Sequence, residues 1–196
     1  MALPAGESCA AWVAIHLIGF YNDVAAIWAK LRNDPDLQKL GPGEGFPDGV
    51  EYLWRGDDKS IQPILLSAPA YMDKVLEWSC DQLSDTSKFP DMKNQSLEDN
   101  NTIQLLKRPE FAMLCGKVFR RLFRVYGIIY ATMFGYLEEK DTTLRLNERF
   151  KHFLFFCFEF GLLAEQELEP LRVLVTPVRL QYYEEKTLLK TSNNKL

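Results

Sequence analysis

The sequence predicts an all-α fold, a helical bundle carrying one small β-hairpin. Three observations carry that reading. Apolar residues recur every third or fourth position through several long segments, the period of a helix face. Stretches rich in proline and glycine separate those segments. Two short extended runs, 50–54 and 61–66, flank Gly56-Asp57-Asp58, the pattern of a hairpin.

The elements follow in order. Residues 9–31 form the first helix, with Trp12, Ile15, Phe20, Val24, Ile27, Trp28 and Leu31 on one face. Ser8 caps it and Glu7 lies at the positive end of its dipole. Residues 32–49 read as a loop, broken by Pro35, Pro42 and Pro47 and by Gly41, Gly43, Gly45 and Gly49. A second helix opens at Ser67-Ala68-Pro69, with Tyr71, Met72, Val75, Leu76 and Leu83 on its apolar side. Asp73, Glu77 and Asp81 give it an acidic edge. Residues 84–108 read as a long polar loop holding Asp91, Asn94, Asn100 and Asn101.

The longest helix spans 109–139 and starts at Pro109. The next, 148–160, is apolar nearly all round, which predicts burial on every side and a place at the centre of the fold, with Gly161 ending it. A shorter helix follows at 164–175. One domain over 1–175 and a flexible, frayed tail over 176–196, closing on Thr191-Ser192-Asn193-Asn194-Lys195, complete the reading.

Composition narrows the function. The 196 residues are 47% hydrophobic and 26% charged, globular proportions that exclude a disordered or collagen-like chain. The net charge of −4 argues against nucleic-acid binding by the surface as a whole. The charge is uneven: residues 1–103 carry −8 and residues 104–196 carry +4, so two faces of opposite sign are expected. The start lacks a basic leader, and the longest strongly apolar run, 153–158, is too short to cross a membrane, so no membrane insertion is expected. Cys9, Cys80, Cys115 and Cys157 are far apart in apolar stretches with no CxxC spacing, which predicts reduced, buried thiols in a cytosolic protein. The expected localisation is cytoplasmic, with the nucleus and spindle poles as further stations.

Catalytic signatures are missing. There is no GxSxG, no glycine-rich phosphate loop and no HExxH, and His16 and His152 are the two histidines. Cys157 and His152 are five apart, about 140° around a helix, and do not face each other. Zinc would need three or four ligands at short loop spacings, which the scattered cysteines do not provide. Neither a metal nor a cofactor is expected. Trp12, Trp28, Trp54 and Trp78 read as core residues, with Trp12 close enough to Glu7 for a partner to reach.

One segment stands out. Lys117, Arg120, Arg121 and Arg124 recur at steps of three and four, share a helix face, and have no acid within four residues. Such a stripe suits a phosphate, because arginine can fork two oxygens at once. An ordinary solvated face, or cations paired with acids from another element, is the competing reading.

Several motifs, in order over residues 3–175, resemble the Mob kinase-activator (Mob/phocein) family. They are Leu3-Pro4-Ala5-Gly6-Glu7 with Trp12 and Phe20-Tyr21-Asn22, and Leu65-Leu66-Ser67-Ala68-Pro69-Ala70-Tyr71 with Trp78 and Asp81-Gln82-Leu83. Arg120-Arg121-Leu122-Phe123-Arg124-Val125-Tyr126 and Phe150-Lys151-His152-Phe153-Leu154-Phe155-Phe156 continue the series. The resemblance implies a Mob-like helical bundle with a short hairpin and no catalytic activity. It implies an adaptor that binds the basic N-terminal regulatory segment of an NDR/LATS-type Ser/Thr kinase on an acidic surface. It also implies a basic pocket for phosphorylated segments of an upstream kinase or scaffold. Arg120, Arg121 and Arg124 match the phosphate-pocket motif, and Lys117 extends it by spacing. Glu7, Trp12, Ile15 and His152 fall at positions resembling the kinase-binding surface. The alternative is a phocein-like scaffold subunit that activates no kinase.

Three departures stand against the family pattern. Members usually hold zinc with two Cys from the loop after the first helix and two His from the long helix. Here that loop has no Cys, and the helix positions are Ile128 and Met133. An acidic residue of the first helix is replaced by Gly19. The sequence also opens almost at its first core helix, where the family carries an extension with phosphorylation sites.

Overall fold

Ser8 keeps an extended backbone, and its Oγ accepts from the Ala11 N–H at 3.5 Å, so the chain enters its first helix through a side-chain cap. The computed structural model describes residues 3–57, 60, 62–91, 99–139 and 143–193. Among these the helices are α1 (Cys9–Leu31), α2 (Ala68–Ser84), α3 (Asn100–Leu106), α4 (Pro109–Thr132), α5 (Phe134–Glu139), α6 (Thr143–Phe160), α7 (Glu165–Leu168) and α8 (Arg172–Asn193). Ser67 caps α2 through the Ala70 N–H, with Pro69 in its first turn as expected. The chain is all-α in architecture. The expected hairpin reduces to a single antiparallel bridge, in which Trp54 and Ile64 exchange two 2.8 Å backbone hydrogen bonds. Asp58 and Ile61 of that expected hairpin lie outside the described residues, as does Asn94 of the expected loop.

The centre of the bundle is α4, not the phenylalanine-rich helix. Val118, Phe119, Leu122, Phe123, Val125, Tyr126, Ile128 and Ile129 are all fully buried, covering well over one face, and α1, α2, α3 and α5 pack around it. Its first residue is Pro109, preceded by an extended Arg108, as the steric demand of proline requires. It ends earlier than the periodicity suggests. Thr132 turns its hydroxyl back to the Ile128 carbonyl at 2.7 Å, and the backbone breaks at Met133 before α5 begins.

The buried side of α1 is Ala11, Ala14, Leu17, Phe20, Val24, Trp28 and Leu31. Ile15, predicted on the inner face, points outward and is 41% exposed. By length and apolar content alone α1 could cross a membrane, a signal the run-length reading passes over. In the fold its apolar face is packed on α4, α2 and α6.

The polar stretch 84–108 is not all loop. Asp99 accepts from the Asn101 and Thr102 N–H groups and caps α3, so Asn100 and Asn101 are helical.

The largest departure is at the C-terminus. Residues expected to fray form most of α8, a 22-residue helix that tolerates Pro177 near its start. Val175 and Tyr182 are buried, and Tyr182 packs its ring on Phe155 at 5.4 Å and Phe158 at 5.6 Å. These two residues lie on the side of α6 that α8 packs against. Tyr182 also donates to Glu159, which Lys186 approaches at 2.7 Å. Gly161, at φ 61°, ends α6 in the left-handed conformation that favours glycine. Asn194 and Lys195 of the expected frayed end lie outside the described residues. Of the four thiols predicted to be buried, Cys115 and Cys157 are, whereas Cys9 and Cys80 are exposed.

Candidate functional site

The helix period of α4 places Lys117, Arg120, Arg121 and Arg124 on one edge, as the sequence predicts. The structure brings all four together, but not as an unpaired stripe in solvent. Arg121 is only 7% exposed. Its guanidinium is sandwiched between Trp54, at 4.3 Å from the ring centroid, and Trp78, at 3.9 Å. It donates to the Arg55 carbonyl at 2.6 Å, and burial lowers its pKa. The other terminal nitrogen, Nη1, is buried with no partner among the described residues.

Arg124 lies 5.1 Å from the Tyr52 ring centroid and reaches the Tyr71 hydroxyl at 3.4 Å. Its Nη2 meets Glu167 Oε2 at 3.3 Å, and Arg120 Nε meets Glu167 Oε1 at 3.2 Å. One carboxylate from α7 therefore bridges two arginines of α4. The Nε of Arg124 is buried and has no partner among the described residues.

Lys117 pairs with Asp57 at 2.5 Å, and Asp57 also accepts from Trp78 Nε1 at 2.9 Å. Burial works against the Asp57 carboxylate, but the bonds from Lys117 and Trp78 outweigh it and hold its pKa below the usual range. The reading of cations paired from other elements thus describes part of what the structure shows. Four cations meet two carboxylates, and two buried guanidinium N–H positions stay open.

The sequence reading missed Asp57, Glu167 and the aromatic walls Tyr52, Trp54, Tyr71 and Trp78 as members of this cluster. Trp54 and Trp78 do pack as expected, yet each also carries the face on which Arg121 rests. Trp54 is delivered by the single bridge to Ile64.

The residues expected on a kinase-binding surface lie elsewhere. Trp12, partly buried, packs edge-on against His16 at 4.5 Å, and His16 lies 6.4 Å from His152 of α6. Trp12 and His152 are therefore linked through His16, which sequence reasoning left out although it follows Trp12 by one helical turn. Glu7 and Ile15 are exposed near the start of α1. Burial and the neighbouring His152 lower the pKa of His16, and burial lowers that of His152.

The zinc positions of the resembled family do not fit a metal here. Ile128 and Met133 are apolar and buried, and among the described residues no group of three His, Cys, Asp or Glu side chains could hold an ion. Gly19 is exposed on α1, with nothing within 4 Å of the position its Cβ would take.

Comparison with known proteins agrees with the architecture. The Mob1/phocein family profile matches residues 1–171. MOB kinase activator 3A of Bos taurus is 32% identical over 170 residues, covering 87% of this chain and 73% of that protein. Maintenance of ploidy protein mob1 of Schizosaccharomyces pombe is 30% identical over 176 residues, with 88% and 77% covered. MOB kinase activator-like 1A of Arabidopsis thaliana is 31% identical over 185 residues, with 92% and 79% covered. With matches of this extent and a helical bundle to go with them, the chain belongs to the Mob1/phocein family.

Proposed function

We propose that the protein is a non-catalytic adaptor that takes a phosphorylated Ser or Thr segment at Lys117, Arg120, Arg121 and Arg124. On the same reading it holds the N-terminal regulatory segment of an NDR/LATS-type kinase near Glu7, Trp12, Ile15 and His152. The observation that supports phosphate is the pair of buried, unpartnered N–H positions on Arg121 and Arg124. A buried donor without a partner is costly, and four cations against two carboxylates leave an excess of positive charge. A phosphoryl group brings about −1.5 to −2 charge and three acceptor oxygens, which suits that excess. The names of the related kinase activators support a kinase as the second partner.

A peptide library with a central phosphothreonine and degenerate flanks, compared with the same library carrying threonine, tests the pocket. Selective retention of the phosphorylated library is expected, and equal retention would overturn the assignment. Gly19 in place of an acid favours a second reading, a phocein-like scaffold that activates no kinase. Affinity capture from native cells separates the two. An NDR/LATS-type kinase among the captured proteins supports the adaptor, and phosphatase-scaffold components without that kinase support the alternative.

A further inference from the structure

We propose that Glu167 is a built-in competitor of the basic cluster, an internal anion that any incoming anion must displace and that sets the affinity threshold for binding. The inference rests on the phosphate reading above.

Glu167 occupies the place that an incoming anion would need. Its two oxygens are split between Arg120 Nε at 3.2 Å and Arg124 Nη2 at 3.3 Å, and its side chain is 23% exposed. It is therefore a partly shielded ligand rather than a solvent-facing partner. The helix that carries it is short, and its neighbour Leu168 is buried, so the backbone is anchored while the carboxylate is held, among the described residues, by Arg120 and Arg124. Glu165, two residues earlier, turns to Arg179 of α8 at 3.0 Å and takes no part in the cluster.

A carboxylate tethered this closely competes as though present at a concentration on the order of millimolar or above. An external Asp or Glu side chain offers the arginines the same charge and the same two oxygens, so exchanging it for Glu167 gains nothing. A phosphoryl group offers up to two charges and three oxygens, enough to satisfy Arg120 and Arg124 and to reach the open donors of Arg121 and Arg124. The cluster should then reject acidic sequences and accept phosphorylated ones, with Glu167 setting the threshold. Removing its charge should lower that threshold by a similar factor for both anions.

The experiment uses the full chain, its Glu167→Gln variant and a Glu165→Gln control. The probes are the phosphothreonine peptide selected from the library and the same peptide with Thr or Glu at that position, each titrated calorimetrically. Wild type should bind the phosphorylated form and discriminate strongly against the Glu form. Glu167→Gln should bind the phosphorylated form and the Glu form each about tenfold more tightly than wild type does. Glu165→Gln should match wild type. In wild type, the carboxyl carbon resonance of Glu167 should shift on saturation with phosphopeptide while that of Glu165 stays in place, a readout that needs no variant.

Unchanged or weaker binding of both forms by Glu167→Gln would make Glu167 a structural brace and overturn the inference while leaving the phosphate pocket standing. A stationary Glu167 resonance at saturation would do the same. If neither protein prefers phosphothreonine to threonine, the pocket assignment fails and the inference falls with it.

Discussion

The guanidinium of Arg121 lies 3.9 Å from the centroid of the Trp78 ring, inside the protein rather than on it. Read from sequence, Arg121 and Arg124 are surface cations that alanine could replace without effect on folding. Burial changes that expectation. Arg121→Ala removes a desolvated cation–π pair and leaves a gap between two tryptophans, so it should cost about 2–4 kcal/mol in urea unfolding. Arg121→Lys should recover only part, because an ammonium cannot lie flat between the rings. Arg120, half exposed, should cost less than about 0.5 kcal/mol as alanine and gives the cleaner binding variant. Equal stability for Arg121→Ala and Arg120→Ala would contradict the packing described.

Tyr182 closes α8 over α6. Tyr182→Ala should destabilise by about 2–4 kcal/mol through lost ring packing on Phe155 and Phe158. Tyr182→Phe keeps the ring and loses the bond to Glu159 and the one accepted from Lys186, for about 1 kcal/mol. A thermal melt of each variant decides the matter, and a Tyr182→Ala melt like that of wild type would mean that α8 contributes no cover.

The histidine pair predicts a pH dependence of definite sign. In the fold the pKa values of His16 and His152 are lowered, chiefly by burial, so the unfolded chain binds protons more readily. Their contribution is fully present above the unfolded value of about 6.5 and is lost as pH falls through it toward the folded values. Melting temperature should therefore fall between about pH 7.5 and pH 5.5, before ordinary carboxylates titrate. His16→Phe, which keeps a ring against Trp12 and Phe156, should flatten the fall. An equal slope in the variant would place the dependence elsewhere.

Two glycines should respond in opposite ways to a side chain. Gly45 sits at φ +81°, and a Cβ there would stand 2.7 Å from Leu40 Cδ1 and 3.0 Å from Ala68 Cβ. Gly45→Ala should cost at least about 1–2 kcal/mol. Gly19 is inside α1 with open space around it, so Gly19→Glu should stabilise by about 0.5–1 kcal/mol through helix propensity alone. Chemical denaturation of both variants gives the two signs directly.

Metal removal should be silent. With Ile128 and Met133 packed in the core, dialysis against a chelator should leave the melting temperature unchanged, and elemental analysis of untagged protein should find far less than one zinc per chain. Near-stoichiometric zinc whose removal lowers the melting temperature would overturn this.

What the sequence made legible was local. The Ser8 and Ser67 caps, Pro109 and the four-cation edge of α4 depend on neighbours within one turn, and the periodicity resolves them. The partners of that edge were beyond its reach. Asp57 is 60 positions from Lys117, and Glu167 is 43 from Arg124, and no helix period says which distant segment will deliver a carboxylate. Ile15 was misplaced because α1 buries small Ala11 and Ala14 beside Leu17, and small residues weigh little in an apolar pattern. The signal for α8 was present and went unused. Phe155 and Phe158 lie on the face that α8 covers, and Val175, Val178 and Tyr182 repeat at helical steps through the stretch that the polar end made look frayed.

The cysteines turn the molecule into its own reporter of opening. Cys9 and Cys80 stand at the surface, while Cys115 and Cys157 are buried and their thiols are made less acidic, that of Cys115 pushed up to about 12. A thiol reagent should modify the first pair at once and the second pair only in molecules that have come apart. The mass gained in a timed pulse then counts native and unfolded chains separately, with no dye or engineered label.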